Sequence, residues 1–190
     1  RVVLKQPRDP LVQDPPRWHR PRRARRRCLA GGAPSRRPLE RGGRDLVVET
    51  AQYWASRIRV TDDGRAHIYG VMGPDEYHEI VDDNAFTNVV VRWHLRQAAA
   101  LVERSDRRTA AHWRQLADSL ITGFDPITCR HEQFAGFWRL EPLRITDIAD
   151  VPVAADVLLG RRRVAQAQVL KQPDVLMAHH LLPDELPAGR

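Results

Sequence analysis

Two stretches of helical period stand almost back to back, and they restrict what this chain can fold into more than any other feature. In Ala85–Val102, Phe86, Val89, Val90, Trp93, Ala100 and Leu101 recur at helical spacing, which predicts a largely buried helix. A second repeat begins at Ser105 and carries Ala110, Trp113, Leu116, Ala117 and Leu120, with Gly123 as its stop. A connection this short makes the two fold back on each other as an αα-hairpin. Upstream, Asp45 is placed to cap a helix over Leu46–Ile58, where Leu46, Val47, Thr50, Ala51, Trp54 and Ile58 keep the same period. The turn Thr61-Asp62-Asp63-Gly64 inside Val60–Tyr69 predicts a small hairpin. A last helix is expected over Asp174–Leu182, with Pro173 at its first position, where a missing N–H costs nothing. The class is all-α.

Between Phe124 and about Gly160 the pattern turns irregular. A stretch this long inside a compact domain is a functional loop or disordered, and its aromatics argue for the former. No repeat of fixed period is present. Trp54, Trp93 and Trp113 have helical neighbours and are expected in the core, and Arg161-Arg162-Arg163 is expected as a solvated turn.

Charge divides the chain in two. Residues 1–44 hold 14 Lys and Arg against 3 Asp and Glu, and seven of the 14 prolines. Residues 45–190 hold 17 against 21. The formal net charge of +7 therefore belongs to the leader, and the remainder is mildly acidic. The leader has no apolar periodicity to bury and is expected to be disordered, or a misread coding segment. Its Arg run could hold nucleic acid only through unselective, salt-sensitive attraction, so no specific nucleic-acid partner is expected. No run of 18 apolar residues and no secretory signal occurs, so no membrane span is expected. Cys28 and Cys129 lack metal or redox spacing, which makes a reducing, cytoplasmic compartment the default. An opening Arg1 in place of Met points to a fragment.

The chemistry concentrates in Gly73-Pro74-Asp75-Glu76-Tyr77-His78-Glu79 and the Asp82-Asp83-Asn84 that follows. Gly-Pro sets a stiff turn, and Asp82, Asp83 and Asn84 offer N-caps for the helix from Ala85. Proton-exchanging and hydroxyl-gripping groups are thereby mounted ahead of a rigid helix. Carboxylates before helices are also common simply as caps and dipole partners. His179-His180 has no ligand spacing around it, and no metal is expected.

Gly73-Pro74-Asp75-Glu76-Tyr77-His78 with Asp83-Asn84-Ala85-Phe86-Thr87-Asn88 resembles the signature of glycoside hydrolase family 65, the maltose, trehalose and kojibiose phosphorylases and related hydrolases. Three more stretches are similar to that family, in its order: Glu49–Arg57, His131–Phe137 (an EQF-x-G-F loop) and Gln168–Val175, where Pro173 replaces the usual Ala of a KQADV motif. The resemblance implies an (α/α)6-barrel catalytic domain, of which residues 45–190 would supply a part built of αα-hairpins. It also implies a phosphate-holding Ser/Ser/His segment that would lie beyond Arg190, and a homodimer at full length.

Roles follow by carry-over. Cleaving a glycosidic bond needs a proton on the leaving oxygen and a nucleophile on the opposite face of the ring. The resemblance makes Glu76 the general acid, with Lys171 and Gln172 gripping sugar hydroxyls and Tyr77 and Glu132 as further pocket residues. Adjacent Asp75 could help hold the proton on Glu76 by like-charge repulsion, unless the two consecutive side chains diverge. Inverting phosphorolysis of an α-linked glucose disaccharide is the reaction implied; inorganic phosphate is the co-substrate and no cofactor is needed. The alternatives are an inverting, trehalase-like hydrolase, which needs a base roughly 6.5–9.5 Å from the acid, and an inactive fragment with exposed apolar faces.

Overall fold

The computed structural model describes residues 42–186. The leader expectations, with Cys28, lie outside the described residues apart from 42–44. Helix α1 runs Arg44–Arg57. Arg44, grouped with the leader by its charge, is thus the first residue of α1 and donates from Nη2 to Leu101 O at 3.0 Å. Asp45 does not cap: the N-cap is Gly43 with no side-chain bond, and Asp45 sits in the first turn, where a carboxylate still complements the helix dipole.

The predicted hairpin follows as β1 (Arg59–Val60) and β2 (Ala66–His67), antiparallel with Arg59 opposite His67. Gly64 takes φ +79° in its turn, a region glycine enters without strain. Helix α2 spans Ala85–Val102, capped by Asn84, whose side chain accepts from Thr87 N. Helix α3 spans Arg107–Ser119, two residues later than Ser105, because Asp106 supplies the cap by accepting from Thr109 N. Gly123 lies beyond the end of α3, at φ +74°, and opens a second hairpin of β3 (Phe124–Asp125) and β4 (Arg130–His131).

Beyond that hairpin come 3-10 turns at Phe137–Arg139 and Ile145–Asp147, then two short helices, α4 (Ala155–Leu159) and α5 (Arg161–Val164). The three arginines of α5 are exposed, as a solvated turn would have them, although they are wound into one helical turn. Helix α6 spans Asp174–Leu181 with Pro173 at its N-cap, one position before the expected N1.

The main core joins α1, α2, α3 and β2 around Ile68, Leu95, Trp113 and Leu116. Helix α2 presents Val91, Leu95, Ala98, Ala99 and Val102 to it, and Trp93 is 38% exposed on another side. The buried stripe is therefore rotated from the one the large side chains mark. The small Ala98 and Ala99 let neighbouring backbones approach closely, whereas an indole there would hold them apart. Trp113 is buried and Trp54 packs partly buried against the same cluster. Two smaller clusters matter for the site: Tyr77 with Ala155, Val164, Ala167 and Val169, and Val89 with Ala178 and Leu186. The fold is all-α, a partial helical barrel with short strands only as hairpin tips.

Candidate active site

The turn Gly73–His78 is fixed from below. Gly73 is needed because a Cβ there would overlap Asp174 Oδ2 and Asn84 Nδ2. Those two atoms are themselves joined, Asn84 Nδ2 donating to Asp174 Oδ2 at 2.7 Å. The cap of α2 and the first residue of α6 thus meet under one glycine.

From that floor, consecutive carboxylates diverge. Glu76 points outward, its side chain 55% exposed. Lys171 Nζ donates to its Oε2 at 2.7 Å, and Gln172 Nε2 donates to its Oε1 at 2.7 Å. The Glu76 N–H donates back to Gln172 Oε1 at 3.0 Å. Residues 95 and 96 positions apart in sequence are so brought onto one carboxylate. Asp75 points inward and is buried, accepting from the N–H groups of Lys171 (2.9 Å) and Tyr77 (3.3 Å) and from His78 Nδ1 at 2.7 Å.

The electrostatics follow. The hydrogen bonds from Lys171 and Gln172, and then the charge of Lys171, hold Glu76 below the usual carboxylate range. The same pair raises Lys171 above the ordinary lysine value. Of the two readings of Asp75, divergence holds: the like charge that pushes Glu76 upward is Asp156, and Asp75 is spent on backbone N–H groups and His78. Burial alone would raise Asp75, but His78 and the N–H groups of Lys171 and Tyr77 together lower it.

Tyr77 is buried, and its hydroxyl donates to Asp156 Oδ1 at 3.0 Å, tying α4 to the turn. Glu132 does not line the cleft beside Glu76: its Oε1 accepts from Gly136 N at 3.1 Å and Trp138 N at 3.0 Å, bracing its own loop. That loop reaches the site through Gln133, whose Nε2 donates to Gln172 O at 3.3 Å, and Phe134, whose ring lies 4.9 Å from His78. A cleft of about 520 Å³ opens beside Glu76 and Lys171 and is also lined by Tyr77, Asp156, Arg161 and Arg162. Sequence reasoning missed Asp156, which no spacing ties to Glu76. It also missed His78 as Asp75's partner, although their separation of three residues in a turn could have signalled it. Among the described residues no group of three His, Cys, Asp or Glu could hold a metal, and no helix is long and apolar enough to cross a membrane.

Comparison with known proteins places the chain in a family. The sequence profile of the glycosyl hydrolase family 65 central catalytic domain matches residues 35–189. Over 73 residues, 35% of the chain and 10% of the relative, it is 45% identical to trehalose 6-phosphate phosphorylase of Lactococcus lactis. It is 29% identical over 161 residues to kojibiose phosphorylase of Halothermothrix orenii, covering 75% of the chain and 21% of that enzyme. It is 36% identical over 110 residues to protein-glucosylgalactosylhydroxylysine glucosidase of Mus musculus, covering 57% of the chain and 16% of that protein. A solved structure assigned as a kojibiose phosphorylase from human microbiome superposes with a TM-score of 0.67 at 23% identity, over 80% of this chain and 23% of that one. The chain thus spans from a tenth to about a fifth of the length of these curated relatives. With the catalytic-domain profile running through most of its length, the chain belongs to glycosyl hydrolase family 65, a family of enzymes.

Proposed function

We propose that this chain carries the acid side of a glycoside phosphorylase site for an α-linked glucose disaccharide, working with inversion. Glu76 protonates the departing glycosidic oxygen, Lys171 and Gln172 grip hydroxyls of the sugar being transferred, and inorganic phosphate attacks from the opposite face. The observation that carries this reading is the convergence of Lys171 Nζ and Gln172 Nε2 on the Glu76 carboxylate, each at 2.7 Å, at the rim of an open cleft. An ammonium with three donors and an amide that both donates and accepts are suited to hydroxyl recognition.

A general acid must hold a proton, and the pair with Lys171 favours the ionised form. Sugar hydroxyls that take up the donors of Lys171 and Gln172 remove the two largest causes of that lowering. Cover by the sugar adds desolvation, which raises a carboxyl further. Substrate binding therefore protonates the acid it needs.

The test is phosphate-dependent release of glucose 1-phosphate from trehalose, kojibiose or maltose by the intact protein, with Glu76→Gln as the variant. Turnover is expected to require phosphate and to fall at least on the order of 100-fold in the variant; retained turnover in Glu76→Gln removes Glu76 from the role of acid. Similarity to a glucosidase supports a second reading, hydrolysis. Release of free glucose at the same rate without phosphate would select it.

A further inference from the structure

We propose that Asp75 is a positioning residue: buried next to Glu76, it fixes the backbone at Lys171 and Gln172 so that their side chains close on the Glu76 carboxylate. The inference rests on the reading of Glu76 as the general acid. Residues 165–173, between α5 and α6, have no helix of their own, and their one extended pairing is a bridge from Ala167 to Glu141. Backbone N–H groups in such a segment need partners from elsewhere. Asp75 Oδ1 supplies them, accepting from Lys171 N at 2.9 Å and Gln172 N at 3.4 Å.

The other carboxylate oxygen is held as firmly. Oδ2 accepts from His78 Nδ1 at 2.7 Å, and His78 Nε2 faces Ala167 O at 3.2 Å. Both ring nitrogens therefore face acceptors, which fixes the plane of the ring between the turn and the segment. His78 is itself buried, with the ring of Phe134 tilted against it and that of Phe137 edge-on. The turn 75–78 thereby grips the 167–172 segment at both ends, and the side chains of Lys171 and Gln172 can reach only where that segment aims them. A point charge inside the fold is set to work outside it without touching substrate.

Three experiments on the intact protein test this. In Asp75→Asn the side-chain volume is kept, but an N–H group replaces an acceptor opposite either His78 or the backbone N–H groups of Tyr77, Lys171 and Gln172. Glu76 is then expected to lose its partners. Its carboxyl, followed by carbon-13 NMR, should titrate at higher pH than in the wild type, the remaining charged neighbours (Asp156, Glu79, Arg161, Arg162) being unchanged. The alkaline limb of kcat/KM should move up with it, and kcat should fall on the order of 100-fold, the scale of a misplaced catalytic constellation. A folded Asp75→Asn with the wild-type Glu76 titration overturns the proposal, because a purely structural Asp75 would lower the melting temperature and leave that titration in place. The wild type supplies a reading that no variant can spoil. The Lys171 and Gln172 amides should exchange slowly with deuterium despite lying outside regular structure, and exchange at the rate of open chain overturns the proposal. The two claims fail separately: an active Glu76→Gln removes the acid while leaving the exchange result standing, and an inactive Glu76→Gln with an unshifted titration in Asp75→Asn removes only the positioning role.

Discussion

Asp75 and Glu76 differ by one methylene and one position, and the backbone turn gives them opposite fates. Glu76 meets solvent, a lysine and an amide; Asp75 meets backbone N–H groups and a buried imidazole. A third carboxyl, Asp174, lies fully buried beneath them, and burial, then the charge of Asp75, raises it above the ordinary aspartate value despite the hydrogen bond from Asn84. A carboxyl raised in the folded state binds its proton more tightly there than in the unfolded chain. It therefore adds stability at low pH that is lost as pH rises from 3.8 through its folded value. Asp174→Asn has no proton to lose. The stability difference, wild type minus variant, is expected to shrink as pH rises from 3.8 in paired urea titrations; a difference that does not change with pH would show that Asp174 is not raised. Of the site, Glu76, Lys171 and Gln172 were legible because each stands in a recognisable motif. Asp156 was not, since only the packing of α4 against Tyr77 brings it to the cleft. Glu132 stands in an equally recognisable loop, yet its carboxylate braces that loop's own backbone, a use that motif matching cannot distinguish.

At the scale of elements, helix existence was written plainly and helix facing was not. The span of α2 follows from an unbroken apolar period between Asn84 and the polar run Glu103-Arg104-Ser105. Its buried side depends on α1 and α3, which pack on Ala98 and Ala99 and leave Trp93 half out in solvent. Long-range side chains such as Asn88, whose Nδ2 donates to Ile121 O at 2.7 Å, complete a seam that no local window contains. The two caps of the hairpin make a direct comparison. Asp106 caps α3 from the exposed surface, so Asp106→Ala should cost about 1 kcal/mol. Asn84 caps α2 from a buried position and also donates to Asp174. Asn84→Ala should cost about 1 kcal/mol for the cap and about 1–3 kcal/mol more for the buried carboxyl left without its donor. Equal losses in chemical denaturation would mean that the Asn84–Asp174 contact contributes nothing.

The whole molecule reads as one part of a larger site. Leu46 and Tyr53 on α1 and Leu176 and Leu181 on α6 are all more than half exposed, as expected for helices whose outer faces belong against further structure. What the chain does contain is the turn bearing Glu76, the αα-hairpin that supports it and the segment that aims two donors at its carboxylate. The proposed function requires that Glu76 deliver a proton to the leaving oxygen. A glucosyl fluoride tests it most directly, because fluoride departs without protonation while a disaccharide's oxygen does not. In the intact protein, Glu76→Gln should lose nearly all phosphorolysis of the disaccharide and keep most of its phosphate-dependent cleavage of α-glucosyl fluoride. Equal loss on both substrates, or undiminished turnover of the disaccharide, would contradict it.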